Sequence, residues 1–202
     1  KGRSALDGVE SMNMMVNLMR EHIPQDSRIH YVITKGGLAP NVVPDEAEVY
    51  YYVRHPKRQM VEKLFNRVVK AAKGAAMGTE TTVSFEVIHG NYSLMPNDTL
   101  QKIMHEKLSA RGGVTYSSKE NKFANTIYKT LLSPTAQVGD QEKVLSYKPT
   151  HGHGSTDVGD VSWLVPTAGL RISTWVPGTS AHSWQAVAAG RSEEHTSELQ
   201  SQ

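Results

Sequence analysis

The hydrophobic period of residues 1 to 96 switches in the order helix, strand, strand, helix, strand, and few folds accept that order. Residues 4 to 23 carry Ala5, Val9, Met12, Val16, Met19 and Ile23 at helical intervals, with Ser4 and Asp7 in capping-box spacing. Pro24 ends this helix, because its ring blocks the preceding turn and it has no N–H to donate. Arg28 to Thr34 alternates as a strand does, Gly36-Gly37 supplies a turn, and Glu46 to Arg54 is a second strand rich in valine and tyrosine. Being neighbours in sequence, the two strands are expected to pair. A second helix is expected from near Pro56, with Met60, Leu64, Val68, Ala71 and Ala75 on one face, stopping at Gly78. Thr81 to His89 alternates again and predicts a third strand.

This order is the ferredoxin-like split βαβ pattern lacking its first strand, which is expected just before Lys1. A sheet without that member has unpaired edge groups, which cost stability or invite association. Pro96 closes the unit. Asn97 to Ala110 then reads as a helix capped by Asn97 or Asp98, and Lys119 to Leu132 as another, whereas Ser133 to Tyr147 reads as a loop. Thr150 to Trp163 is a Gly-rich polar loop leading to an apolar turn, Gly169 to Val176 has the composition of a buried strand, and Ser183 to Gly190 begins a helix. The fold class is therefore α/β (α+β), with one domain over 1 to 96 and a second over 97 to 190. The run from Arg191 to Gln202 matches the translation of a sequencing-adapter oligonucleotide. It is expected to be foreign, with the natural frame lost at about Gly190 and the chain an internal fragment.

Composition narrows the functional classes. Hydrophobic residues make up 38% of the chain, enough for a core of ordinary size. The net charge is +2, and removing the terminal run, with Arg191 against Glu193, Glu194 and Glu198, leaves about +4 without a basic stretch or interleaved aromatics. Nucleic acid is therefore not an expected partner. No apolar stretch approaches the roughly 20 residues that cross a bilayer, so a membrane is not expected either. The absence of cysteine excludes disulfide and thiolate chemistry within this segment, and fits a cytoplasmic location.

Three groups of residues carry a resemblance. They are Gly2-Arg3-Ser4-Ala5-Leu6-Asp7; Pro40-Asn41-Val42-Val43-Pro44 with Ala47-Glu48-Val49 through Arg54; and Ser155-Thr156-Asp157-Val158-Gly159-Asp160-Val161-Ser162-Trp163 followed by Gly178-Thr179 and His182-Ser183-Trp184-Gln185. Together they resemble the zinc-dependent amidohydrolases of the aminoacylase/carboxypeptidase family over residues 1 to 190. The nine-residue string from Ser155 is the most specific, while Asn-Val-Val-Pro is shared across the wider family. The resemblance implies a catalytic α/β domain holding two divalent metal ions, zinc first and manganese or cobalt as alternatives, interrupted by a ferredoxin-like lid that dimerises. Residues 1 to 96 correspond to the lid and 97 to 190 to the return into the catalytic domain. The implied reaction is hydrolysis of the amide between an acyl or aryl-acyl group and an amino acid such as glutamate. The implied partner is an identical or related subunit, with lid residues serving in trans in many relatives.

The resemblance also assigns roles. His182 matches the family's last metal ligand, and neutral imidazole suits zinc. Asn41 and Arg54 match positions that hold a substrate carboxylate or amide oxygen. Arginine offers a planar fork and asparagine donates without added charge. Asn41 precedes a strand and Arg54 ends it, so one strand is expected to present both. Thr156 and Asp157 resemble a cleft-lining motif that orients substrate or a metal-bound histidine. Plain alternatives stand beside each: an ordinary loop histidine, a turn-forming asparagine, a solvated arginine, and helix capping for Ser155, Thr156 or Asp157. Asp160 in the same loop is a weaker candidate, and His151 and His153, flanking a glycine, fit solvent exposure as well as metal binding. The remaining ligands and the general base are expected ahead of Lys1, so this chain alone is expected to be inactive. The competing reading is a non-catalytic ferredoxin-like interaction module, which leaves the Ser155 string and the His182 loop unexplained.

Overall fold

The computed structural model describes residues 2–150, 152 and 154–190, so the expectations for His151, His153 and the run after Gly190 fall outside the described residues. The chain divides into two compact units. The first is Lys1–Leu94 together with Ser155–Asp160, and the second is Met95–Gly154 with Val161 onward.

In the first unit, helix α1 (Ala5–Met19) starts where the Ser4 hydroxyl accepts from the Asp7 backbone N–H at 3.2 Å. It runs into a 3-10 turn over Arg20–His22, and Pro24 follows. Strands β1 (Arg28–Lys35) and β2 (Glu48–Arg54) pair antiparallel, with Arg28 opposite Arg54, His30 opposite Tyr52 and Val32 opposite Tyr50. Because residues opposite one another share a face, Ile29, Tyr31, Tyr51 and Val53 all point the same way. That face packs on α1 and on α2 (Arg58–Thr79), in a core of Val16, Met19, Ile29 and Val68 ringed by Met12, Ile23, Tyr51, Val53 and Ala71. One polar pair lies within this packing: Tyr51 donates to the amide oxygen of Asn13, itself buried.

Two expectations for this unit change. Helix α2 passes Gly78 and closes at Glu80, whose φ of 54° is left-handed and whose carboxylate pairs with Arg3. Thr81 to His89 forms no strand; Val83, Phe85 and Val87 are exposed, and the Phe85 ring rests edge-on against Phe65 with centroids 6.1 Å apart. Alternation makes a strand only where a ladder partner exists. The sheet among the described residues has two strands, and neither β1 nor β2 pairs with this segment.

In the second unit, α3 (Asp98–Arg111) is capped by the Asn97 side chain and α4 (Ser118–Tyr128) by a full Ser117–Glu120 capping box. Ala124 and Ile127 of α4 bury against Val176, with Ala188 of α6 (Trp184–Gly190) alongside. The expected buried strand over 169–176 is absent: Leu170 and Ile172 are exposed and Val176 alone of its apolar residues is buried. Here too apolar composition finds no neighbouring strand among the described residues. No helix among the described residues is long and apolar enough to cross a membrane.

Candidate functional site

The hairpin fixes where Asn41 and Arg54 lie. Arg54 is the last residue of β2, opposite Arg28, whereas Asn41 sits in the loop joining Lys35 to Glu48 at the other end. With a rise of about 3.4 Å per residue, the ends of β2 are roughly 20 Å apart. The loop is pinned at its own end, because the Ala5 N–H, at the start of α1, donates to the Pro44 carbonyl at 2.9 Å. The other end of α1 is tied to the Arg54 side, where Arg20 donates to the Ile29 carbonyl at 2.6 Å. As the sequence suggests, Asn41 precedes β2 and Arg54 ends it, so the two occupy opposite ends of one hairpin.

Thr156 and Asp157 precede the short helix α5 (Val158–Ser162). The Thr156 hydroxyl accepts from the Val158 N–H at 3.2 Å, and the Asp157 carbonyl accepts from the Asp160 N–H at 3.0 Å, so local turn bonding uses both residues. Asp160 instead reaches across the unit and accepts the Tyr92 N–H on Oδ1 at 2.7 Å. Gly159 makes that approach possible: a Cβ there would lie 1.9 Å from the Tyr92 carbonyl oxygen. Tyr92 is further held by Arg58, whose guanidinium sits 4.7 Å from the ring centroid. Sequence reasoning ranked Asp160 below its neighbours because nothing local marks a partner 68 residues away.

In the second unit the chain enters the His182 loop through Gly178, whose φ of 86° and close contact with Pro134 exclude a side chain. His182 is exposed and left-handed, with φ 60°. That conformation is uncommon for a residue with a Cβ, and such departures gather at functional sites. The loop is fixed on both sides. Ser183 donates to the Ser180 carbonyl at 2.7 Å and accepts from the Ala186 N–H at 3.3 Å, while Gln185 donates to the Thr130 carbonyl at 3.2 Å. The Thr179 hydroxyl oxygen is buried without a hydrogen-bond partner in the described structure. His182 borders an open depression of about 630 Å³ lined mainly by Trp175, Trp184 and Val187.

A catalytic zinc takes about three protein ligands. Among the described residues no three His, Asp or Glu side chains come together to hold a metal ion. The donors present here therefore do not fit a metal centre by themselves; among the described residues His182 offers a single imidazole.

Residues 1–80 match the peptidase dimerisation domain. The chain is 39% identical over 216 residues to one of the subunits of p-aminobenzoyl-glutamate hydrolase from Escherichia coli (strain K12), covering 94% of this chain and 45% of that protein. It is 27% identical to the Xaa-Arg dipeptidase of Mus musculus, over 82% of this chain and 32% of that one. It is 32% identical to N-acetyldiaminopimelate deacetylase of Leuconostoc citreum, over 34% of this chain and 18% of that one. The chain thus spans less than half the length of these relatives. The helix-backed antiparallel hairpin lies within the residues that match the dimerisation domain. Residues 1–80 thus carry a peptidase dimerisation domain, and the relatives that the longer chain resembles are a hydrolase subunit, a dipeptidase and a deacetylase.

Proposed function

We propose that this chain is the lid, over residues 1 to 96, and part of the catalytic domain, over 97 to 190, of a cytoplasmic amidohydrolase. Its substrate is an amide between an acyl or aryl-acyl group and an amino acid such as glutamate. The observation that carries this reading is the backbone of His182, held left-handed and exposed by a loop bonded on both sides. A loop bonded on both sides that holds a residue with a Cβ in this uncommon region supports a role for its side chain. His182 is one ligand of a centre of two divalent metal ions, zinc first, whose other ligands and general base come from sequence outside this chain. Arg54 takes the substrate carboxylate. Asn41, at the far end of the same hairpin, serves the site of a second copy paired through the lid, which is the role open to a residue roughly 20 Å away along the strand. Thr156 and Asp157 serve the substrate from the turn that positions them.

The test uses the whole parent protein containing this segment. His182→Ala is expected to lower kcat/KM at least a thousandfold and to reduce bound metal by elemental analysis, with an unchanged fold by circular dichroism. Arg54→Gln is expected to raise KM with a smaller change in kcat. Full activity and metal content in His182→Ala would sink the assignment in favour of an interaction module. Amide hydrolysis by the present chain alone would equally contradict it.

A further inference from the structure

A depression of about 330 Å³ lies in the first unit where α1 gives way to β1, with Arg20, Ile23, Pro24, Ser27, Arg28 and His30 among the residues around it. That volume is at the low end of what holds a small organic ligand. A basic residue at a helix end often serves the carbonyls of its own last turn. Arg20 instead reaches forward to the strand, where one guanidinium nitrogen donates to the Ile29 carbonyl at 2.6 Å and the group sits 5.7 Å from the Tyr31 ring centroid. Arg28 reaches back over the turn before it, one nitrogen donating to the Gln25 carbonyl at 2.6 Å and to the Ser27 carbonyl at 2.7 Å. The two guanidiniums therefore hold the same short segment, residues 25 to 29, and each keeps further N–H donors beyond those bonds.

Two further observations point to what they hold. Among the described residues no carboxylate is ion-paired with Arg20, Arg28 or His30, although Glu21 and Asp26 lie in the same stretch of sequence. Ser27, which lines the depression, is 6% exposed, and its hydroxyl oxygen is buried without a hydrogen-bond partner in the described structure. Buried hydroxyls are normally bonded. The wall thus combines two arginine forks, an imidazole and an uncommitted hydroxyl, with Ile23 and Pro24 as its apolar part. A planar carboxylate is matched by a single fork, whereas a tetrahedral oxyanion carries oxygens in enough directions to meet two forks and a hydroxyl at once. We propose that this depression is a phosphate-group site, taking free phosphate or the phosphate of a small monoester against Arg20, Arg28, His30 and the Ser27 hydroxyl. It goes beyond the hydrolytic reading and stands apart from it, since it uses none of His182, Arg54 or Asn41.

The experiment is calorimetric titration of the full 202-residue chain, in a phosphate-free buffer, with inorganic phosphate, glycerol 3-phosphate, acetate and glycerol in turn. Saturable binding of phosphate is expected, roughly tenfold tighter than acetate and with none for glycerol. Tighter binding of glycerol 3-phosphate than of inorganic phosphate assigns the site to a monoester, and equal or weaker binding assigns it to free phosphate. Arg28→Gln is expected to weaken phosphate roughly tenfold, Arg28→Lys by less because it keeps the charge without the fork, and Ser27→Ala roughly threefold. Lys73→Gln, the same loss of charge at an exposed position on α2, should leave the affinity unchanged. Equal weakening by Lys73→Gln and Arg28→Gln shows a diffuse positive field in place of a site and overturns the proposal. Binding of neither phosphate, acetate held as tightly as phosphate, or an affinity indifferent to Arg28→Gln or Ser27→Ala overturns it too. Circular dichroism of each variant separates lost binding from lost fold.

Discussion

Replacing Gly159 with alanine adds one methyl group where the structure has no room for it. The new Cβ would lie 1.9 Å from the Tyr92 carbonyl oxygen and 3.0 Å from its carbon, so helix α5 and residue 92 must part by about an ångström. That movement also stretches the 2.7 Å bond from the Tyr92 N–H to Asp160. Overpacking costs about 1–3 kcal/mol, and an exposed hydrogen bond to a carboxylate adds about 1 kcal/mol. Alanine's better helix propensity returns about 0.5–1 kcal/mol. The net expectation is a loss of about 2 kcal/mol. Gly74→Ala is the control, because its Cβ meets only the Met15 sulfur at 3.9 Å in the body of α2. It should stabilise by about 0.5–1 kcal/mol. Urea unfolding is best followed by far-ultraviolet circular dichroism, since Trp163, Trp175 and Trp184 all lie outside the first unit. Opposite signs for two identical chemical changes confirm the reasoning. A neutral or stabilising Gly159→Ala refutes the close approach of α5 to Tyr92.

Val16, 0% exposed in the α1–sheet core, gives the simplest packing test. Val16→Ala should cost about 1.5–3 kcal/mol in urea unfolding, and a loss below about 0.5 kcal/mol would deny that core. Burial, then the nearby Tyr31, raises the Tyr51 phenol above its ordinary value of 10.0, with Arg20 opposing. A group with a raised folded pKa contributes its full stability below the unfolded value and loses it as pH climbs from there towards the folded value. Stability should therefore fall above about pH 10, and Tyr51→Phe should flatten that fall; an unchanged alkaline profile speaks against a protected phenol. His182→Gly relieves the φ of 60° and should raise thermal stability slightly, by up to about 1 kcal/mol. A lower melting temperature for His182→Gly would mean the imidazole has structural contacts that the loop does not show.

The sequence made α1 legible because Ser4, the helical spacing and Pro24 all agree, and it made the β1–β2 pair legible because both strands alternate across a short connection. Thr81 to His89 misled for the opposite reason: a strand is a relation between segments, and period alone does not name the partner. The same holds for 169–176. At the site, the His182 loop was visible through its flanking small residues, whereas its left-handed backbone was not, since no residue type there announces it. Asn41 and Arg54 were recognised as a pair, but their separation depends on the hairpin's register and on the Ala5–Pro44 tether. The bond between Asp160 and Tyr92 had no local signature at all.

That bond also sets an order of events during synthesis. Residues 155–160 belong to the first unit, yet about sixty residues of the second are made before them. The hairpin and its two helices therefore emerge from the ribosome as an unfinished body, completed only after much of the second unit has been translated. Closing so long a loop adds little to the equilibrium cost, about 0.6 kcal/mol for each doubling of length, but it postpones a long-range contact and slows folding. In that interval the chain around Tyr92 waits for its clasp, and it is then that chaperones and proteases have their best access to it.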